Sequence, residues 1–287
     1  MITKPYIFDT HAHYDDEAFE ADQKELLAGF QALGIGEVTN IGASMESSRT
    51  TLALAEQYPW MWAAVGVHPD EVGELTEADM DELKKLAESP KVRAIGEIGL
   101  DYHEWEPGAR TPEIREQQRY WFRRQMALSR ELDLPVVIHS REAAAETYDI
   151  LAEDKEILTS ESSSQSDKIG AGVLEYPRGV VHCYAYSLEM ALRFIDLGYV
   201  IGIGGVLTFK NAKKVKEVVA AIPLEKIVLE TDSPYLAPVP HRGTRNNSTY
   251  LRYVVAEMAK IRGVSEEEIK AVTLDNAHRL YRIPVSD

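Results

Sequence analysis

Short, almost unbroken apolar runs recur along the chain, separated by amphipathic stretches. The runs are YIFD (6–9), EVTNIG (37–42), MWAAVGV (61–67), VRAIGEI (92–98), LPVVIHS (134–140), GVVHCY (179–184), GYVIGIGG (198–205) and KIVLET (226–231). Continuous runs of this kind mark strands covered on both faces, whereas a strand with one wet face alternates. Helical spacing of apolar positions predicts helices over 17–33, 45–57, 78–88, 112–132, 142–152, 187–196 and 210–221, with two more at about 247–262 and 266–276. Eight strands alternating with helices predict a parallel sheet, and eight is the number that closes a barrel. The expected fold class is therefore α/β, a single (β/α)8 TIM barrel over residues 1–287. A doubly wound open sheet would bring a glycine-rich phosphate loop after its first strand. Here DTHAHYD (9–15) stands in that place. One Ser- and Gly-rich segment, 158–177, lacks apolar periodicity and reads as a surface loop rather than an active-site lid, because it enters its strand from the barrel's N-terminal face.

Composition narrows the setting. At 287 residues, 45% of them hydrophobic, the chain suits one large globular domain, and an α/β barrel of this type typically needs about 250 residues. No apolar run is long enough to span a bilayer, and neither a secretory nor an arginine-rich leader is evident, so a cytoplasmic location is expected. Cys183 is the only cysteine and reads as a small buried hydrophobe rather than a thiol nucleophile. The net charge of −16 argues against tight, non-specific binding to a duplex. It leaves room for an enzyme that admits a polyanionic end weakly, since a metal ion can supply local positive charge.

The candidate chemistry lies at strand ends, where barrels of this kind carry their active sites. His11 and His13 follow the first strand, two residues apart, so a strand period of two points both imidazoles the same way. His68 closes the third strand; Glu97 lies near the end of the fourth, with Asp101 and His103 just beyond. His139 ends the fifth, His182 falls late in the sixth, and Asp232 follows the eighth. Seven of the eight histidines fall at or just past a predicted strand end, counting His241 in the loop after the eighth strand and leaving out His278. Core histidines satisfying buried hydrogen bonds would explain one or two of these, not a whole rim. Imidazole and carboxylate are ligands for Zn, Mn, Fe or Mg. Four histidines and two carboxylates exceed one tetrahedral ion and suit two divalent ions sharing a bridge, for which Glu97 on a central strand is the natural candidate. Asp232 can bind an ion and also orient or deprotonate a water.

IFDTHAHYD, VGVHPDEV, IGEIGLDYH, VVIHSRE, GVVHCY, IGIGG, LETDSPYLAP and RGTRNN, in this order, resemble the TatD family of metal-dependent hydrolases within the amidohydrolase superfamily, from about residue 5 to 283. The resemblance implies a (β/α)8 barrel, a divalent metal centre and hydrolysis of phosphodiesters by metal-activated water, typically removing nucleotides from DNA ends. It carries the metal ligands to His11, His13, Glu97, His139, His182 and Asp232, with His11, His13, Glu97 and Asp232 at one ion and Glu97, His139 and His182 at the other. Glu97 and Asp232 are then the catalytic pair. His68 and His103 look like phosphate contacts, with Tyr102 and Arg141 as helpers. The chain departs from the family pattern at YAYS (184–187), at RGTRNNS (242–248) and in the length of 158–177. In the second of these, Asn246 or Asn247 takes over a helix-capping role.

Three functions compete on this reading. The leading one is a nuclease acting on single-stranded DNA, RNA or damaged ends. The alternative keeps the centre and changes the bond, to an ester or amide such as the aminoacyl ester of tRNA. A non-catalytic scaffold would need none of the six ligands. Lactonase- and phosphotriesterase-like relatives often bridge their metals with a modified lysine, and the fourth strand carries Glu97 instead. His241 and His278 read as surface or helix residues. Trp60, Trp62, Trp105 and Trp121 read as packing groups, with Trp105 placed to edge the mouth. Oligomeric state is left open.

Overall fold

The computed structural model describes residues 4–164 and 176–284. Its eight strands are β1 (Ile7–Ala12), β2 (Ile35–Ile41), β3 (Met61–Val65), β4 (Val92–Asp101), β5 (Val136–Arg141), β6 (Gly179–Val181), β7 (Tyr199–Ile203) and β8 (Ile227–Leu229). They pair in sequence order, every pair parallel. The seam between β8 and β1 is joined by the chain just beyond β8. Thr10 Oγ1 donates to Leu229 O at 2.9 Å, Asp232 N to His11 O at 2.9 Å and His13 N to Ser233 O at 2.8 Å. A parallel bridge links Ala12 to Ser233. The expected TIM barrel is what forms.

The helices are α1 (Gln23–Gly29), α2 (Met45–Ala55), α3 (Glu77–Leu86), α4 (Pro112–Leu132), α5 (Ala144–Ser164), α6 (Leu188–Asp196), α7 (Lys213–Ala221), α8 (Leu251–Arg262) and α9 (Glu266–Leu280). Side-chain caps start many of them: Ser44 at α2, Thr76 and Asp79 as a reciprocal box at α3, Thr111 before Pro112 at α4, Ser187 at α6 and Ser265 at α9. One layer of core lies between strands and helices. The other fills the barrel, where Phe8, Ala64, Ala94, Val137, Val180, Val200 and Val228 pack with Leu274, Ala277, Leu280 and Tyr281 of the α9 segment. Phe8, Ala94, Val137 and Val200 lie in the N-terminal halves of their strands, so α9 plugs the base and leaves the opposite mouth open. Tyr281 fixes the plug by donating its hydroxyl to Thr10 O at 2.6 Å.

Three helical expectations change. The stretch 17–33 is not one helix: short 3-10 turns at Glu17–Phe19 and Gln31–Leu33 flank α1. Asp22, at φ −140°, breaks the run, and Arg245 takes its carboxylate at 2.6 and 2.7 Å. The last two predicted helices hold, though the first begins only at Leu251, after a 3-10 turn at Ser248–Tyr250 that Asn247 caps. Finally, α5 runs on to Ser164, so the first part of the expected 158–177 loop is helix. Buried Asp154, paired with both Arg130 and Arg178, anchors that extension. Residues 165–175 of the expected loop lie outside the described residues. Among the described residues no helix is long and apolar enough to cross a membrane.

Candidate metal centre

Glu97 is the hub of the barrel mouth. It is 3% exposed and sits where the β4–β5 register slips between Ile95 and Ile98. Gly99 makes the close approach possible, because a Cβ there would lie 1.9 Å from His139 O. The two carboxylate oxygens of Glu97 face different histidines. Oε2 lies 3.3 Å from His11 Nε2 and 3.8 Å from His13 Nε2, both carried by the end of β1. Oε1 lies 2.8 Å from His139 Nδ1 at the end of β5 and 2.6 Å from His182 Nε2 just beyond β6. Asp232, beyond β8, brings Oδ1 to 3.7 Å from His11 Nε2 and 3.6 Å from His13 Nε2. Its backbone is left-handed at φ 59°, a conformation that aspartate tolerates better than most residues. All six expected ligands therefore converge.

The donor chemistry fits metal ions. Nε2 of His11 and Nε2 of His13 stand 3.2 Å apart, and Nδ1 of His139 stands 3.3 Å from Nε2 of His182. Two ligands each about 2.1 Å from one ion are themselves roughly 3.0–3.4 Å apart, which is this spacing. Groups suited to one ion form around His11, His13 and Glu97, and around His68, Glu97 and His139, with Glu97 common to both. The far nitrogens of two rings are held in place: His13 Nδ1 lies 2.9 Å from Ile41 O, and His139 Nε2 lies 3.1 Å from Asp101 Oδ2. Such outer partners fix the tautomer and aim the inner nitrogen at the centre.

Burial and charge compete at each group. Burial and the neighbouring His182 pull His11 down to about 4, and burial together with His139 pulls His68 down to about 3. Burial also works against His13 and His139, but carboxylate partners win: Asp232 and Glu97 lift His13 to about 9, and Asp101 and Glu97 lift His139 to about 9. Burial opposes ionisation of Glu97 and Asp232 as well. The surrounding histidines outweigh it, holding Glu97 well below the usual carboxylate range and Asp232 at about 2. Both acids are thus anionic at neutral pH, as ligands must be.

The four expected substrate contacts divide. His68 stands at the centre, its Nε2 3.9 Å from Glu97 Oε1 and its ring edge-on to His139 at 4.3 Å. His103 and Arg141 lie out on the rim, where both pack on Trp105. Tyr102 does not join them. It is 5% exposed, and its hydroxyl donates to Glu146 Oε2 at 2.8 Å and accepts from Arg119 Nη1 at 3.2 Å, between α4 and α5. Its hydroxyl is spent between α4 and α5, away from His103 and Arg141 on the rim. His278 is buried in α9 rather than on the surface, its Nε2 2.7 Å from Glu37 Oε1 at the base.

Two acids escaped the sequence reading. Asp101, four residues past Glu97, orients His139. Glu230 lies buried two residues before Asp232, grouped with His11 and His182. It accepts from the Cys183 backbone N–H, its Oε1 is 3.9 Å from His182 Nδ1, and burial pushes it up to about 8. Gly202 makes its room, since a Cβ there would lie 2.2 Å from Glu230 Oε2. The signal was an acid inside an otherwise apolar run, at strand period from Asp232.

Known proteins resemble this chain over nearly its whole length. The model of a family described as TatD related DNase matches residues 8–282. The chain belongs to that family. The uncharacterised metal-dependent hydrolase YabD of Bacillus subtilis (strain 168) is 36% identical over 277 residues, covering 96% of this chain and 99% of its own. A protein named 3′-5′ ssDNA/RNA exonuclease TatD, from Erwinia tasmaniensis, is 31% identical and covers 96% of this chain and 100% of its own. The crystal structure of YjjV, a TatD homologue from Escherichia coli K12, superposes with a TM-score of 0.83 at 30% identity, covering 97% and 98% of the two chains. As a TatD-family protein the chain is a metal-dependent hydrolase, and the histidine–carboxylate cluster at the barrel mouth is its candidate metal centre.

Proposed function

We propose that this centre hydrolyses phosphodiester bonds of single-stranded nucleic acid, using two divalent ions. The observation that carries the reading is Glu97, whose two oxygens each face a separate pair of histidines. His11, His13 and Asp232 would hold one ion and His139 and His182 the other, with Glu97 shared between them. When bound, such ions supply Lewis acidity at the phosphoryl oxygens and lower the pKa of the attacking water. Asp232, held anionic and partly open to the mouth, is the proton acceptor for that water. His68, kept neutral by burial and with its Nε2 free of a close partner, can donate to a phosphoryl oxygen as charge builds there. The name of the Erwinia relative supports nucleic acid as the substrate, and the chain's −16 charge suits brief contact with an end over tight binding.

The test is cleavage of 3′-labelled and 5′-labelled single-stranded DNA, across a series of Mg, Mn, Zn and Fe, with an aminoacyl-tRNA run in parallel. Metal-dependent shortening of the DNA is expected. Deacylation of the tRNA without any shortening of DNA would move the reading to carboxylic esters.

A further inference from the structure

Trp105 is 70% exposed, more than any other large apolar side chain among the described residues. The other three tryptophans are engaged elsewhere. Trp121 is buried, Trp60 packs on Phe30 and Tyr58, and Trp62 donates its N–H to Glu37 at 2.6 Å. Trp105 lies instead in the loop after β4, on the open side of the barrel.

The indole packs against two neighbours. The Arg141 guanidinium carbon lies 4.6 Å from its ring centre, and the His103 ring meets it edge-on at 4.7 Å and 90°. His103 is tied down in turn, and Arg141 is carried by the end of β5. His103 Nδ1 lies 2.6 Å from Glu142 Oε1, its backbone N donates to Asp101 Oδ1 at 2.9 Å, and its carbonyl accepts from Arg110 Nε at 3.0 Å. The same Asp101 holds His139 through its other oxygen at 3.1 Å, and Arg141 stands two residues beyond His139 on β5. The exposed indole is thus linked to the metal centre through shared residues.

From this geometry we propose that Trp105 is a stacking platform for one unpaired nucleobase of the strand held at the centre. The proposal rests on the nuclease reading above. A flat, electron-rich, exposed ring in contact with an arginine is the kind of surface that stacks bases without reading their sequence. The residues beside it, Glu104, Glu106, Pro107 and Glu142, are exposed and not extended by further apolar groups. That fits a single ring and not a protein partner, whose interface would need an area on the order of 1,000 Å². Arg141 adds a cation beside the base in an otherwise acidic chain.

The test uses metal-loaded protein and an octamer of thymidylate with phosphorothioate links, beside the same strand made abasic. Indole fluorescence of the unmodified protein should be quenched by the thymidylate strand and far less by the abasic one, and Trp105→Phe should lose that quenching. In turnover, Trp105→Ala should raise KM for single-stranded DNA about tenfold. Its cleavage of an abasic strand with ordinary phosphodiester links, which offers no ring to stack, should be unchanged, and Trp105→Phe should restore most of the DNA affinity. Equal quenching by both strands, or equal losses on both substrates, overturns the platform. Unmodified protein that cleaves neither substrate overturns the nuclease reading instead, while the quenching comparison still decides for or against base stacking.

Discussion

Asp101 Oδ2 lies 3.1 Å from His139 Nε2, across the imidazole from the nitrogen that faces Glu97. The carboxylate therefore fixes which face of His139 is offered to an ion. Asp101→Asn should lower metal affinity about tenfold to a hundredfold while the barrel stays folded. Competition with a metal-sensitive dye gives the affinity, and circular dichroism checks the fold. Unchanged affinity would mean that β5 alone positions His139.

His68 separates two roles that its location allows. It stands beside Glu97 but farther from it than His139 and His182 do, at 3.9 Å against 2.8 and 2.6 Å. His68→Ala should lower turnover about a hundredfold and leave metal content per chain unchanged. Loss of an ion on elemental analysis would reassign His68 as a ligand.

Proton competition gives the centre a defined pH dependence. His13 and His139 are lifted from 6.5 to about 9 by their carboxylate partners, overcoming burial. A raised folded pKa contributes stability that is complete below the ordinary value and lost as pH rises through about 9. Glu230, pushed by burial from 4.5 to about 8, has the same sign but acts lower, from about pH 4.5 to 8. In chelator, Tm should fall between about pH 7 and pH 9.5, by about 2–4 °C for each kcal/mol lost. Ion binding at pH 7 must expel protons, so its calorimetric enthalpy should vary with the ionisation enthalpy of the buffer. A buffer-independent enthalpy would show that the imidazoles are already neutral.

Most of this site was legible because a barrel turns sequence position into space. His11, His13, Glu97, His139, His182 and Asp232 come from five separate stretches of the chain, yet each lies in the C-terminal half of a strand or just past it, and parallel strands deliver those positions to one rim. What escaped depends on side-chain direction. Tyr102 and His103 are neighbours with opposite fates: one phenol turns into the helical layer, and one imidazole stays on the rim. Trp105 read as packing because composition cannot tell a buried indole from one left open by its loop. Glu230 and Glu37 are acids within apolar runs, whose pattern alone assigns them no partner. Each is buried with dedicated partners, the backbone of Cys183 for one, and Tyr6, Trp62 and His278 for the other. The early break in 17–33 came from Arg245, more than two hundred residues downstream of the Asp22 it binds.

The two-ion centre stands or falls on Glu97. Metal content and cleavage of labelled single-stranded DNA should be measured together for the unmodified chain and for Glu97→Gln, after chelation and titration with Mn²⁺. Activity should return to the unmodified chain at two equivalents per chain. Glu97→Gln should hold fewer ions and cleave slower by about a thousandfold or more, as loss of several kcal/mol of transition-state stabilisation requires. Full activity in the chelated protein, or a Glu97→Gln variant that keeps two ions and normal cleavage, would contradict the centre proposed for this chain.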